Sequence, residues 1–132
     1  MPSIELKRRV RWADADAAGR LYYPRIFDFA GEGEVELLQS RGISRQKLSQ
    51  TYDLPRVHAE CQFKKMLELG ARFTIRVCVG KLGRTSIRYD FKVFLEGEPD
   101  EPAGEGKVTV VILRNGKPAE IPHELRLALS SE

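Results

Sequence analysis

Apolar and polar residues alternate near the start of the chain: Ile4, Leu6, Val10 and Trp12 share one phase, and Glu5, Lys7, Arg9 and Arg11 the other, with Arg8 as the one break. A period of two is the mark of a half-buried strand, because successive side chains point to opposite faces. Residues 14–19 carry no period and are rich in small side chains, so they form a loop. From Pro24 the spacing changes to three and four through Ile26, Ala30, Gly33 and Leu37, flanked by Phe27, Phe29 and Leu38. This predicts one helix of about four turns. Pro24 suits its first turn and Gly42 lies just past its end. Gly31 and Gly33 inside it each lower helix propensity by about 1 kcal/mol relative to alanine. Either something approaches that face closely or the helix kinks there.

Residues 44–52 can form a short second helix with Ser44 as its N-cap. Strand patterns dominate thereafter. Val57, Ala59, Cys61 and Phe63 alternate with Arg56, His58, Glu60 and Gln62, which assigns the first set to the core and places His58 on the opposite face as a surface or interface residue. Phe73, Ile75, Val77 and Val79 repeat the pattern, as do Ile87, Tyr89, Phe91, Val93 and Leu95. Residues 108–113 are apolar on both phases and read as a more deeply buried strand. Turns fall at 81–85 and 96–106, Asn115-Gly116 signals a two-residue hairpin, and Pro122 ends the last strand, leaving His123 exposed. Strand, long helix and four or so antiparallel strands, each with one apolar face, make an α+β layer arrangement: a five- or six-stranded antiparallel sheet wrapped around one long helix.

At 132 residues the chain has the size of one domain, taken as residues 1–132. Its longest apolar stretch is far short of a membrane span, and Met1-Pro2-Ser3-Ile4-Glu5 lacks the apolar segment of a signal peptide, so a cytoplasmic protein without a membrane partner is expected. Cys61 and Cys78 form no metal-ligand motif and fall on opposite phases of their strands, which disfavours both a metal site and a disulfide between them. A net charge of +3 suits an anionic partner. Acidic residues are interspersed with the basic ones, so nucleic acid gains no support, whereas the phosphates of coenzyme A fit equally well.

The chemistry lies in Trp12-Ala13-Asp14-Ala15-Asp16-Ala17-Ala18-Gly19, where two carboxylates directly precede a long helix. A helix N-terminus offers unpaired N–H groups and partial positive charge, able to hold a carboxylate or stabilise an oxyanion. Asp14 or Asp16 can equally be a plain cap of loop or helix. No G-x-S-x-G elbow occurs, so a serine hydrolase has no support.

Asp14-Ala15-Asp16-Ala17-Ala18-Gly19-Arg20-Leu21-Tyr22-Tyr23-Pro24 closely resembles the signature of the 4-hydroxybenzoyl-CoA thioesterase family of hotdog enzymes. The likeness continues through Glu36, Gly42, the turn Leu82-Gly83-Arg84-Thr85-Ser86 and the stretch from Asn115 to Pro122, so it covers nearly the whole chain. It implies the hotdog fold and hydrolysis of an acyl- or aryl-CoA thioester without metal or other cofactor. By position, Asp16 is then the catalytic carboxylate, as nucleophile or general base, Asp14 is structural, and the Tyr23 backbone N–H polarises the thioester carbonyl. Gly19 keeps the loop tight. Tyr22 and Tyr23 line an acyl or aryl pocket or are ordinary packing, and Arg84 is the first candidate for the coenzyme A phosphates. The chain departs from the family at Arg25 and Ile26 and at Gly31, where the family carries a mid-helix acid. Arg25 either contacts a substrate carboxylate or phosphate or is an inert first-turn arginine. As a class, hotdog proteins complete their sites between subunits, which implies a homo-oligomer, a tetramer built from dimers. Two alternatives stand: a thioesterase acting on acyl carrier protein, and a non-catalytic hotdog module that binds acyl-CoA or serves in assembly.

Overall fold

The computed structural model describes residues 1–131. Strands β1 (Ser3–Arg9), β2 (Arg56–Phe63), β3 (Arg72–Leu82), β4 (Ser86–Leu95) and β5 (Gly104–Val111) form one five-stranded sheet in the order β1-β3-β4-β5-β2, antiparallel throughout. Helix α1 (Arg25–Ser40) crosses its inner face, packing against β1 and β3. A short α2 (Arg45–Leu48) follows, capped by the Ser44 side chain, which accepts from the Lys47 N–H.

The period-two patterns become the inner face of the sheet. Phe73, Ile75, Val77 and Val79 on β3 and Ile87, Tyr89, Phe91 and Val93 on β4 are all buried beneath Ile26, Phe29, Ala30, Leu37 and Leu38 of α1. Each such side chain contributes roughly 1.5–3 kcal/mol by leaving water. The two helix glycines differ. A Cβ at Gly33 would overlap the Val77 side chain, so close approach explains that residue, whereas nothing lies within 4 Å of a Cβ at Gly31.

Three expectations need correction. Pro122 does not end a strand. After the hairpin β6 (Leu113–Arg114) and β7 (Lys117–Pro118), turned by Asn115 and Gly116 at φ 52° and 77°, it starts helix α3 (His123–Ser130), which buries Leu125 and Leu129. Strand β5 begins at Gly104, inside the stretch assigned to a turn. In β2, a bulge between Arg56 and His58 shifts the phase: it turns Arg56 toward α1, where its Nη2 lies 2.6 Å from Glu34 Oε2, and leaves Val57 59% exposed. Such an extra residue leaves a side chain unpaired and re-aims its neighbours. β2 is also an edge strand, so most of its residues are exposed. His58 lies on the face away from α1, with Nε2 3.1 Å from Glu60 Oε1. Both cysteines are free, and burial pushes the Cys61 thiol up to about 11.

Candidate active site

The loop between β1 and α1 is built around two carboxylates with opposite surroundings. Trp12–Asp14 forms one turn of 3-10 helix that carries Asp14 inward. Its Oδ2 accepts from the Arg11 backbone N–H (3.0 Å) and Arg11 Nε (3.0 Å), and its Oδ1 from Arg25 Nη2 (2.8 Å) and Nε (3.2 Å). The Arg11 side-chain bond, with help from the Arg11 N–H and Arg25, outweighs burial and holds this carboxyl at about 2. Because Arg25 sits in the first turn of α1 and also pairs with Asp28 at 3.1 Å, Asp14 fastens the loop to the helix start. The Arg25 guanidinium is thereby engaged by two acids of its own chain.

Two residues on, Asp16 stands at the exposed tip of a tight turn. Its Oδ1 accepts from the Ala18 N–H (2.9 Å) and the Arg20 N–H (3.2 Å), while its own N–H donates to the Arg20 carbonyl (2.7 Å) and its carbonyl accepts from Gly19 N–H (3.0 Å). Gly19, at φ +78°, supplies the left-handed residue that the turn needs; nothing crowds it. Oδ2 of Asp16 accepts no hydrogen bond from any described residue. One oxygen is fixed and the other is open.

Segment 67–70 braces the turn: Leu21 N–H donates to Leu67 O and Leu69 N–H to Gly19 O, each at 2.8 Å. The chain then enters α1 through Tyr22, whose N–H donates to Asp14 O (2.8 Å), and Tyr23. Among the described residues the Tyr23 N–H has no acceptor, as expected of a donor at a helix start, and Pro24 has no N–H. The two tyrosine rings meet edge to face at 5.6 Å, and they, Trp12, Met66 and Leu69 are all exposed on the segments that form this site.

Arg84 is not brought here. The loop is tied to the start of β3 through Val10 N–H to Ala71 O (2.9 Å), whereas Arg84 follows the far end of that strand. Eleven residues of β3 separate the two ends, roughly 30 Å along the strand. The Arg84 side chain is exposed, with its Nη1 3.5 Å from Glu120. Asp16, Gly19, Tyr22, Tyr23 and Arg25 therefore cluster in one chain, and Arg84 stands apart. Among the described residues no group of three or more His, Cys, Asp or Glu side chains is placed to hold a metal, and no helix is long and apolar enough to cross a membrane.

Residues 10–129 match the model of the thioesterase-like superfamily. The chain belongs to that superfamily. A crystal structure of a hypothetical protein from Aquifex aeolicus superposes on this thioesterase-like chain with a TM-score of 0.88 at 25% identity, covering 96% of this chain and 99% of that one. A gentisyl-coenzyme A thioesterase structure does so at 0.85 and 25% identity, over 96% and 100%. The 1,4-dihydroxy-2-naphthoyl-CoA hydrolase of Synechococcus elongatus is 26% identical over 102 residues, 75% of each chain. The fold is the hotdog.

Local sequence reasoning missed a second cluster in this thioesterase-like chain. Glu34 on α1, 4% exposed, pairs with Arg56 and lies 3.9 Å from Arg45, and Tyr89 is buried beside them. Glu34 was legible in part, since it falls four residues after Ala30 on the buried face; Arg56 was not, because the bulge reverses its phase.

Proposed function

We propose that this protein hydrolyses an acyl- or aryl-CoA thioester, with Asp16 as the reacting carboxylate and the Tyr23 N–H as the donor to the thioester oxygen. The observation that carries this reading is the asymmetry of Asp16: Oδ1 is pinned by two backbone N–H groups, leaving Oδ2 unencumbered near a helix start with a free donor. As nucleophile, Oδ2 attacks the thioester carbon, negative charge moves onto the carbonyl oxygen beside the fixed N–H dipole, and the coenzyme A thiolate leaves and takes a proton. Water then opens the resulting anhydride. As general base, Oδ2 instead takes a proton from the water that attacks the thioester directly. In both routes Oδ1 holds the orientation and Gly19 the turn. Tyr22 and Tyr23 flank the reacting group. Arg25 acts on it indirectly, by tying Asp14 and hence the loop to α1.

The names of the relatives favour hydroxylated aromatic acyl groups, and the basic excess suits the coenzyme A phosphates. A role for Arg84 at those phosphates requires a second copy to carry it toward Asp16, in keeping with a homo-oligomer, a dimer of dimers, in the cytoplasm. The exposed β2 edge, with Val57 and Phe63 uncovered, supports association, since unpaired edges seek partners.

Thiol release from a panel of short, long and aromatic acyl-CoAs tests the activity; silence across the panel would leave a binding module. A single turnover in heavy-oxygen water separates the routes. Direct attack labels the product acid, whereas an anhydride opened at the aspartyl carbon leaves the label on Asp16. Sedimentation showing a fully active monomer would remove the shared site.

A further inference from the structure

The outer face of the sheet, away from α1, carries a depression of about 790 Å³ at the end of β1, β3 and β4 nearest the Asp16 loop. Its cations are set by strand register. Arg9 on β1 stands directly opposite Arg72 on β3, and Lys7, two residues earlier, stands opposite Thr74. Strands lie about 4.8 Å apart and two residues advance about 7 Å, so the three cationic side chains are rooted within about 8 Å of one another. Like charges directly opposite destabilise a sheet. Nearby acids that could offset them are engaged elsewhere: Glu5 pairs with Arg76 at 2.9 Å and Glu32 with Arg8 at 3.1 Å. Glu96, at the rim, forms no ion pair with any described residue, and neither do Lys7, Arg9 and Arg72. The Thr74 hydroxyl between them has no hydrogen-bond partner among the described residues. On its other side Thr74 faces Phe94 of β4, and the Arg76 guanidinium lies over the Phe94 ring, 5.1 Å from its centre. A guanidinium laid over a ring gives a base a surface to stack on.

We infer that this depression binds a nucleoside carrying a chain of two or three phosphates. Arg9, Arg72 and Lys7 take the phosphates, the Thr74 hydroxyl donates to one of them, and the base stacks on Arg76 and Phe94. Two arginines that face each other without an acid are unfavourable until an anion bridges them, and the guanidinium fork matches phosphate oxygens. The spread of the three cations suits a chain of phosphates rather than a single one, and the stacking surface lies one strand over on the same face. The inference goes beyond the hydrolase reading and does not depend on it, since binding is measured without turnover. Coenzyme A and free nucleotides share this chemistry, and the test separates them.

Calorimetry at low salt gives Kd for ATP, AMP and tripolyphosphate on the wild type, Arg9→Glu, Phe94→Leu and Lys47→Glu. Wild type should bind ATP about tenfold or more tighter than AMP, and also tighter than tripolyphosphate, through base stacking. Arg9→Glu should weaken ATP binding by about tenfold or more, because it removes a charge-assisted contact and offers Arg72 an acid in place of the phosphate. For the same reason its Tm should rise by a few degrees. Phe94→Leu should weaken ATP and leave tripolyphosphate unchanged. Lys47→Glu on α2, with the same change of net charge, should leave ATP binding as it was. No saturable ATP binding by wild type, an equal loss in Lys47→Glu, or a lower Tm in Arg9→Glu overturns the site; equal Kd values for ATP and tripolyphosphate overturn the nucleoside. Competition by coenzyme A, with KM raised in Arg9→Glu for an acyl-CoA but not for the matching acyl-pantetheine, assigns the site to the substrate's own nucleotide. Loss of ATP binding with KM unmoved assigns it to a free nucleotide. If no thioester turns over, the hydrolase reading fails while ATP binding still decides the site.

Discussion

Asp14 and Asp16 are separated by a single residue and identical in chemistry, yet the fold gives them opposite surroundings. Asp14 is buried, and both of its oxygens are taken by Arg11 and Arg25. Asp16 is exposed and keeps one oxygen open. The difference comes from the 3-10 turn at Trp12–Asp14, which swings the first carboxylate toward the start of α1, and from Gly19, which lets the chain double back and leave the second at a tip. A carboxylate whose hydrogen-bonding capacity is exhausted is a good fastener and a poor reagent. Its neighbour, half satisfied, is oriented without being consumed.

Removing the charge at each position tests this contrast most strongly. Asp16→Asn keeps the volume and a capping oxygen, so Tm should hold within about a degree, because Asn and Asp cap alike. Thioester turnover should fall by about 10²- to 10⁴-fold, the span of a lost general base, or further for a lost nucleophile. A stable variant with full activity would make Asp16 a cap and nothing more.

Asp14→Asn should show the inverse. It gives up charge-assisted bonds to two arginines and leaves Arg25 facing a neutral amide, a loss of about 2 kcal/mol seen as a Tm drop of roughly 5–10 °C. Activity at temperatures where the variant remains folded should fall less than in Asp16→Asn. Equal kinetic damage with no loss of Tm would erase the distinction.

Acid stability sharpens the same point. Asp14 has its carboxyl lowered from 3.8 to about 2 in the fold, so its stabilisation is fully present above pH about 4 and disappears as pH falls through about 2. Wild type should therefore lose stability across that window more steeply than Asp14→Asn, measured by denaturant midpoints at each pH. Parallel curves would show that Asp14 titrates alike folded and unfolded.

How much of this was legible in the sequence depends on the range of the interaction. The inner strands and α1 were plain because their periods repeat over many residues and burial enforces them. The helix at His123–Ser130 was not, since only Leu125 and Leu129 anchor it and Pro122 reads as a strand stop as readily as a helix start. The loop was legible as two acids before a helix. That Arg25 fastens Asp14 was not, because the partners are eleven residues apart and meet only once the loop has folded back. The Glu34–Arg56 pair needed a bulge in β2 to bring Arg56 to Glu34, and no local spacing predicts that bulge.

The smallest expected effect separates the two arginines that hold Asp14. The Arg11 side chain is 61% exposed and that of Arg25 35%, and the shorter contact, 2.8 Å against 3.0 Å, belongs to Arg25. Arg11 bonds are the larger influence on the Asp14 carboxyl, yet one of them comes from the Arg11 backbone N–H, which any residue at that position retains. The remaining side-chain contacts, from Nε at 3.0 Å and Nη2 at 3.3 Å, stand in solvent, where screening and side-chain entropy leave an ion pair little net effect. Arg11→Ala should therefore destabilise less than Asp14→Asn, and its deficit should vanish as salt is raised. Arg25→Ala should cost more and retain its deficit in salt, because it removes the less exposed and shorter contact to the buried carboxylate and releases the loop from α1. If Arg11→Ala proved the costlier substitution at high salt, the exposed side of the loop rather than the helix start would be what fastens Asp14.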